Sequence, residues 1–168
     1  MEKQDTARWL CRFRLTKYWQ DIENFRGREA EFYRLFKPYE VIGGEGNCLL
    51  NSGIDELWDL VCGDSANHFN NAGAQIGVGD SSNAASATQT DLQAATNKTY
   101  KGMDSGYPTS TTQKATFKAS FGAGEANYTW NEWVVKQSTS GKCLNRKVDS
   151  LGTKTGGTWT LQVDITLA

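Results

Sequence analysis

The sequence contains a single histidine, His68, among its 168 residues. A Ser-His-Asp or Cys-His catalytic site would have to use this residue, yet it stands in the polar stretch 66–70 and no Gly-x-Ser-x-Gly motif occurs. The glycine-rich stretches 77–79 and 122–124 are not followed by the Lys-Ser/Thr of a phosphate-binding loop. We therefore expect no catalytic residues and no enzyme activity.

Clustered metal ligands are also missing from the sequence. The four cysteines are scattered and form no Cys-x-x-Cys motif, whereas a zinc site needs about four nitrogen or sulfur ligands close together. We expect no metal and no cofactor, and we interpret the cysteines as small buried apolar residues.

Long apolar runs and an excess of charge of either sign are absent as well. No apolar run approaches the roughly 20 residues that cross a bilayer, and the net charge of −1 argues against a general electrostatic affinity for nucleic acid. The N-terminus does not resemble a signal peptide. We expect neither a membrane nor a nucleic-acid partner, and synthesis in a reducing cytoplasm.

The last residues alternate between apolar and polar side chains. From Thr158 onward every second residue is apolar, and these residues are Trp159, Leu161, Val163, Ile165 and Leu167. Successive side chains of a strand point to opposite faces, so the pattern predicts a strand with one buried and one wet face. Because a lone strand is unstable, earlier residues must supply its partners.

Similar strand patterns occur earlier in the chain. They lie near residues 76–78, 100–103, 115–121, 128–135 and 144–148. Trp130 and Trp133 fall in opposite phases, which predicts a β-bulge near Asn131 and Glu132. Five or six short strands with polar turns predict a mainly β fold, an antiparallel β-sandwich or a Greek-key barrel.

Residues 47–62 predict one clear helix. Its apolar residues recur at helical spacing and form one stripe, namely Leu50, Ile54, Leu57, Trp58 and Val61. Asn47 suits the N-cap and Gly63 suits the left-handed position after the last turn. Ser52 and Gly53 weaken the middle, so a start of the helix only at Ser52 is the alternative. We expect this helix to pack on the sheet.

The first 45 residues differ from the rest in composition. They carry 17 charged residues, whereas residues 46–168 carry 20, and 16 of the 17 glycines lie at or after Gly43. This contrast predicts a charged, aromatic N-terminal arm, 1–45, and a β-sandwich domain, 46–168, that includes helix 47–62. The arm either covers the domain with two short helices or buries its aromatic residues on another subunit, although Phe13 and Leu15 also fit one side of a strand. Its candidate contact residues are Trp9, Phe13, Trp19, Phe25, Phe32, Tyr33, Phe36 and Tyr39.

Two further features carry structural or binding hypotheses. Residues 80–97 are almost all small and polar, which is typical of a surface loop with a binding role, with Asp80 and Asp91 as candidates, or of a short helix near 91–95. Glu132 stands at the expected bulge, where a buried charge needs a partner. Arg146 on the next strand can supply it through a bidentate pair, which we expect to lock the structure.

Several phrases, in this order, resemble small virion structural proteins of tailed bacteriophages. The phrases are EGNCLLNSGI at 45–54, IGVGDS at 76–81, TDL at 90–92, MDSGYP at 103–108, FGAGEAN at 121–127, WNEW at 130–133 and LNRKV at 144–148. The resemblance covers residues 40–168 and implies no catalytic residues.

This resemblance implies one of two virion roles. In the first, the chain is a capsid decoration or cement protein that binds the major capsid protein and copies of itself, as a trimer or another symmetric cluster. In the second it is a tail-fibre or collar component, with residues 80–97 exposed to a host receptor. A carbohydrate-binding β-sandwich with tryptophan or tyrosine platforms is a further alternative.

Overall fold

The computed structural model describes residues 7–168, which form two five-stranded antiparallel sheets packed as a sandwich. Sheet A contains, in spatial order, β2 (Glu40–Glu45), β1 (Trp9–Tyr18), β10 (Thr158–Leu167), β7 (Lys114–Phe121) and β6 (Thr109–Thr111). Sheet B contains β3 (Cys48–Leu49), β9 (Cys143–Thr153), β8 (Thr129–Gln137), β4 (Ala74–Gly79) and β5 (Lys98–Gly102). The helices are α1 (Glu29–Leu35) and α2 (Asn51–Cys62), and a 3-10 turn spans Glu23–Phe25.

The predicted fold class, a mainly antiparallel β-sandwich, is confirmed. There are more strands than the five or six expected, because β1 and β2 come from the first 45 residues and β3 and β6 are only two and three residues long. Neither helix in the described part of the chain has the length and apolar character needed to cross a bilayer.

The strand β10 has the alternating burial that its sequence predicts. It lies between β1 and β7, and Trp159, Leu161, Val163 and Ile165 point into the sandwich and are buried. Leu167, at the end of the strand, is half exposed. The opposite phase is not uniformly wet, because Thr158 and Thr160 are buried beneath residues 19–38, which cover that end of sheet A.

Three aromatic rings join the two sheets in the core. Trp130 of β8 makes edge-to-face contacts with Phe121 of β7 and Trp159 of β10, with ring centroids 4.9 Å apart in both pairs. Such contacts each contribute about 0.5–1.5 kcal/mol beyond the burial of apolar area. The largest side chains of β7, β8 and β10 are therefore committed to stability.

Residues 9–45 are part of the sandwich and do not form an arm that projects from it. β1 pairs with β10 along its whole length, from Trp9 opposite Leu167 to Tyr18 opposite Thr158, and with β2 on its other side. Phe13 and Leu15 alternate with Arg12 and Arg14, so the apolar phase enters the core while the arginines face solvent. Residues 1–6 of the predicted arm lie outside the described residues.

Residues 19–38 cover one end of the outer face of sheet A. Phe32 of α1 contacts Tyr18 edge-to-face, with ring centroids 5.0 Å apart, and Ile22 is fully buried beside them. The hydroxyl of Tyr33 donates a hydrogen bond of 2.6 Å to the carboxylate of Asp104. This interpretation, helices that cover the β domain, was one of the two open for the segment.

The helix α2 begins at Asn51 and is shorter at its N-terminus than predicted. Leu50 occupies the N-cap, and Asn47 does not cap the helix. Gly63 has φ of 82° and ends the helix in the left-handed conformation, as its position predicts. At Gly53 the helix backbone lies directly on β9, where an added Cβ would come 2.5 Å from the carbonyl oxygen of Leu144.

Residues 80–97 lie on the outer face of sheet B without forming a helix. Leu92 is buried there against Val134 and Cys143, and Asp80 pairs with Asn97 across the base of the loop through a 2.7 Å hydrogen bond. The segment is therefore a packed surface loop, and the alternative of a short helix near 91–95 is wrong.

Candidate functional site

The helix α2 carries an apolar surface that the sandwich leaves uncovered. Ile54, Trp58 and Val61 are 38%, 63% and 75% exposed. At 3.6 residues per turn these three residues lie on one side of the helix, and we call them the α2 surface. Exposed apolar clusters on folded chains are typical of interaction sites, so the α2 surface is the candidate site.

The α2 surface exists because small and charged residues occupy the buried side of the helix. Gly53 allows the close approach to Leu144. Glu56 is buried, accepts a 2.8 Å hydrogen bond from the hydroxyl of Ser65 and forms a 3.2 Å ion pair with Lys142. The helix does pack on the sheet, but its apolar stripe is rotated outward. Only Leu50 of that stripe is fully buried.

An open apolar groove of about 580 Å³ adjoins α2 at one end of the sandwich. Leu57 and Leu60 form its helical wall, and the ends of β1, β7 and β10 form the opposite wall. The strand residues that line it include Trp9, Ala115, Ile165 and Leu167. Helix and groove together present a continuous apolar region.

The predicted contact residues of the first segment are not brought together into one surface. Phe13 and Phe32 are buried in two different clusters, and Phe25, Tyr33 and Phe36 pack against Phe32. Trp9 is half-buried, lines the groove and donates a 3.2 Å hydrogen bond from its Nε1 atom to Asn47.

Trp19 and Tyr39 form a separate exposed aromatic pair. Their rings are stacked with centroids 4.0 Å apart and an interplanar angle of 21°, and Trp19 is 74% exposed. The Nε1 atom of Trp159 donates a 3.2 Å hydrogen bond to the hydroxyl of Tyr39. This hydrogen bond holds the ring of Tyr39 in place.

Glu132 and Arg146 hold the loop 80–97 on sheet B. Both side chains are fully buried and joined at 2.7 Å, and the other carboxylate oxygen of Glu132 accepts a hydrogen bond from the amide of Ala94. Arg146 donates to the carbonyl oxygen of Asn83 and to the side chain of Gln89. The register of β8 shifts between Trp130 and Glu132, where the change of phase predicts the bulge.

Asp91, the second loop candidate, lies on the side of the loop that faces sheet B, in a cluster of polar side chains. Burial alone would raise the pKa of its carboxyl, but hydrogen bonds from Lys136 and Tyr100 hold this pKa below its usual value. Burial raises the pKa of the neighbouring Cys143 thiol, which keeps it protonated. The cluster therefore anchors the loop and contains no activated nucleophile.

Within residues 7–168 no three His, Cys, Asp or Glu side chains form a group that could hold a metal ion. His68 lines the groove beside Phe69, which packs edge-to-face on Phe117.

No family model matches this chain, and no curated protein or solved structure matches it either.

The outward rotation of α2 is the feature that sequence reasoning missed. Periodicity identifies the apolar stripe of a helix but does not say which side contacts the sheet. Gly53 was the available signal. Glycine weakens a helix, so a glycine in the middle of one often marks a close approach to another backbone.

Proposed function

We propose that this chain is a structural protein of a bacteriophage virion, most simply a decoration or cement protein on the head. It binds the major capsid protein, and copies of itself complete the cluster. The ordered phrases between residues 45 and 148, which resemble small virion proteins of tailed phages, support this proposal.

The observation that carries the proposal is the exposed apolar surface of α2. Trp58 and Val61 lie in water on the isolated chain, and burying them on a partner is favourable. Tryptophan is also among the residues that contribute most at protein interfaces. The first segment is built into sheet A, so α2 replaces it as the proposed contact with the capsid.

A tail-fibre or collar role is the alternative within the same class. It gains little from residues 80–97, since the Glu132–Arg146 pair and buried Leu92 hold them against sheet B. This anchoring argues against a mobile tip, while residues 82–86 remain exposed on the outer side of the loop.

The test is to look for the chain in heads purified from a phage mutant that makes no tails. We expect it to be present, and heads that lack it to lose integrity at lower temperature, because binding only to the assembled shell stabilises that shell. Trp58→Ala should reduce occupancy, whereas Trp19→Ala should not. Absence from tailless heads and presence in tails would reject the decoration role in favour of the alternative.

Carbohydrate binding is a second candidate, and the Trp19–Tyr39 pair favours it. Trp130 and Trp159 are buried and cannot serve as sugar platforms, but Trp19 presents an exposed ring whose orientation is fixed by stacking on Tyr39. Binding on a glycan array that is lost in Trp19→Ala and kept in Trp58→Ala would support this function over assembly through α2.

A further inference from the structure

We infer that the α2 surface is the docking site for a helix of the partner protein, one that carries lysine or arginine beside an apolar stripe. The inference rests on the proposed function and specifies the chemistry of the contact. Its three supports are the continuity of the apolar region, the absence of strand-pairing groups on α2, and the charges along this helix.

The apolar region continues from the groove around the exposed side of α2. Each residue of a helix is rotated by about 100° from the one before it. Leu60 and Leu57 therefore lie on the groove side of α2. Next to them around the helix come Val61, Ile54 and Trp58, in that order. The first two line the groove and the last three are exposed. A partner side chain can therefore enter the groove while its neighbours lie on Trp58.

The partner segment must satisfy its own backbone hydrogen bonds. The amides and carbonyls in the middle of α2 are paired within the helix, so this surface offers side chains and no free strand edge. An extended segment laid on it would leave buried amides without partners, at about 1–3 kcal/mol each. A helix pairs its backbone internally and presents only side chains.

The charges of α2 favour a basic partner on the exposed side of the helix, away from Lys114, which lines the groove. Residues 51–65 contain Asp55, Glu56, Asp59 and Asp64 and no lysine or arginine. Lys142 pairs with Glu56 and Asp59 at 3.2 and 2.9 Å. Among residues 7–168 no lysine or arginine forms an ion pair with Asp55 or Asp64, so both carboxylates are available to a partner.

The same charges disfavour a second copy of this chain as the occupant. Two α2 helices packed against each other would bring acidic residues of one copy toward acidic residues of the other, which costs free energy when like charges are partly buried. Copies of the chain therefore meet through other surfaces.

The test uses the whole protein and two synthetic helical peptides of about four turns with the same leucine stripe. One peptide carries lysine at its polar positions and the other carries glutamate, and each has a fluorescent label for anisotropy titration. We expect the lysine peptide to bind and the glutamate peptide to bind at least about tenfold more weakly, which corresponds to about 1.4 kcal/mol. Binding of the lysine peptide should weaken as salt rises.

Matched variants locate the binding. Trp58→Ala should lower the affinity for the lysine peptide about tenfold, and Val61→Ser should lower it as well. Trp19→Ala, which removes a still more exposed tryptophan elsewhere, should leave the affinity unchanged. Circular dichroism of each variant verifies that it is folded.

Three results would overturn the inference. They are equal affinity of the two peptides, equal affinity of Trp58→Ala and Trp19→Ala for the lysine peptide, and a dimer of the protein alone that Trp58→Ala abolishes. If the chain occupies tailless heads but these results appear, the proposed function stands and the docking chemistry fails. Peptide binding as expected, with no chain in heads or tails, rejects the virion role and keeps the docking site.

Discussion

The Nε and Nη2 atoms of Arg146 both lie 2.7 Å from the same oxygen, Oε2, of Glu132. This arrangement differs from the two-oxygen bidentate pair that the sequence suggests, and it leaves the second oxygen of Glu132 for the amide of Ala94 at 2.7 Å. The pair thus joins β8 to β9 and also joins both strands to the loop that covers them.

Removing one partner of this buried pair should be costly. We expect Arg146→Met to lower the free energy of unfolding by about 3–5 kcal/mol, because Glu132 would lose its ion-pair partner in the interior. Guanidinium denaturation measures the change. Amide hydrogen exchange in residues 80–97 should accelerate in the same variant, since Arg146 also holds Asn83 and Gln89.

The exposed pair of Arg12 and Glu45 provides the control for this prediction. Its atoms are as close, at 2.8 Å, but its side chains are 75% and 70% exposed. Arg12→Met should cost about 1 kcal/mol or less. Equal losses in Arg12→Met and Arg146→Met would contradict a special role for the buried pair.

Gly53→Ala should destabilise the protein although alanine is the better helix former. In an ordinary helix this change gains about 1 kcal/mol. Here the new Cβ would lie 2.5 and 2.6 Å from the carbonyl oxygen and Cα of Leu144, so α2 or β9 must shift, at about 1–3 kcal/mol. Thermal denaturation measures the sign. Gly102→Ala, at a strand position with open space around the added Cβ, is the matched substitution and should change stability by about 0.5 kcal/mol at most.

Asp104 should make stability fall as the pH rises above the usual range of an aspartate. Burial raises the pKa of its carboxyl, and the hydrogen bonds from Tyr33 and Ser120 and the charge of Lys118 only partly oppose this, while Glu29 adds to it. The unfolded state releases this proton near pH 3.9, which is about the unperturbed pKa of an aspartate, whereas the folded state holds it to a higher pH. The contribution of Asp104 to stability is therefore lost as the pH rises from that value through the raised pKa of the folded state.

Urea denaturation of the wild type and of Asp104→Asn from pH 4 to pH 7 checks this sign. The wild type should lose stability relative to Asp104→Asn as the pH rises. Asp55→Asn, at an exposed position on α2, controls for the removal of one negative charge. A difference between the wild type and Asp104→Asn that grows in the opposite direction would show that the carboxyl is stabilised as an anion.

The four cysteines should react with a thiol reagent at very different rates. Cys62, exposed at the end of α2, should react first. Cys11 and Cys143 should react only on unfolding, because burial denies the reagent access and raises the pKa of the Cys11 thiol to about 12. Absorbance with Ellman's reagent gives the rates, and Cys62→Ser should remove the fast phase. Half-buried Cys48 should then give the remaining, slower reaction of the folded protein. Reaction of more than one thiol in folded Cys62→Ser would contradict the burial of Cys11 and Cys143.

Alternation in the sequence was a reliable guide where one phase is apolar and the other polar. In β7 and β10 the apolar phase enters the core as expected, although Ser120, Thr158 and Thr160 of the polar phase are also buried. The change of phase between Trp130 and Trp133 located the bulge in β8.

Arg146 lies opposite Val134, diagonally across from Glu132. It was a candidate partner because it falls on the adjacent strand and a charge inside the sandwich needs a partner there.

The first strand and the orientation of α2 could not be deduced in this way. β1 mixes aromatic residues with Arg12, Arg14 and Lys17, and its burial depends on pairing with β10 at the far end of the sequence. Lys17 is buried because its amine reaches the carbonyl oxygen of Leu151 and the carboxylate of Glu40. These are contacts between distant residues, and local periodicity contains no information about them.

The pairing of β1 with β10 also sets an order of events during synthesis. Phe13 and Leu15 belong to β1, whereas β10, which completes their side of sheet A, follows every other described strand along the sequence. Until β10 is made, one edge of β1 has no partner strand, and an unpaired edge favours aggregation. Pairing over such a distance in sequence slows folding. We therefore expect the yield in a host to depend on chaperones that protect this edge until β10 emerges.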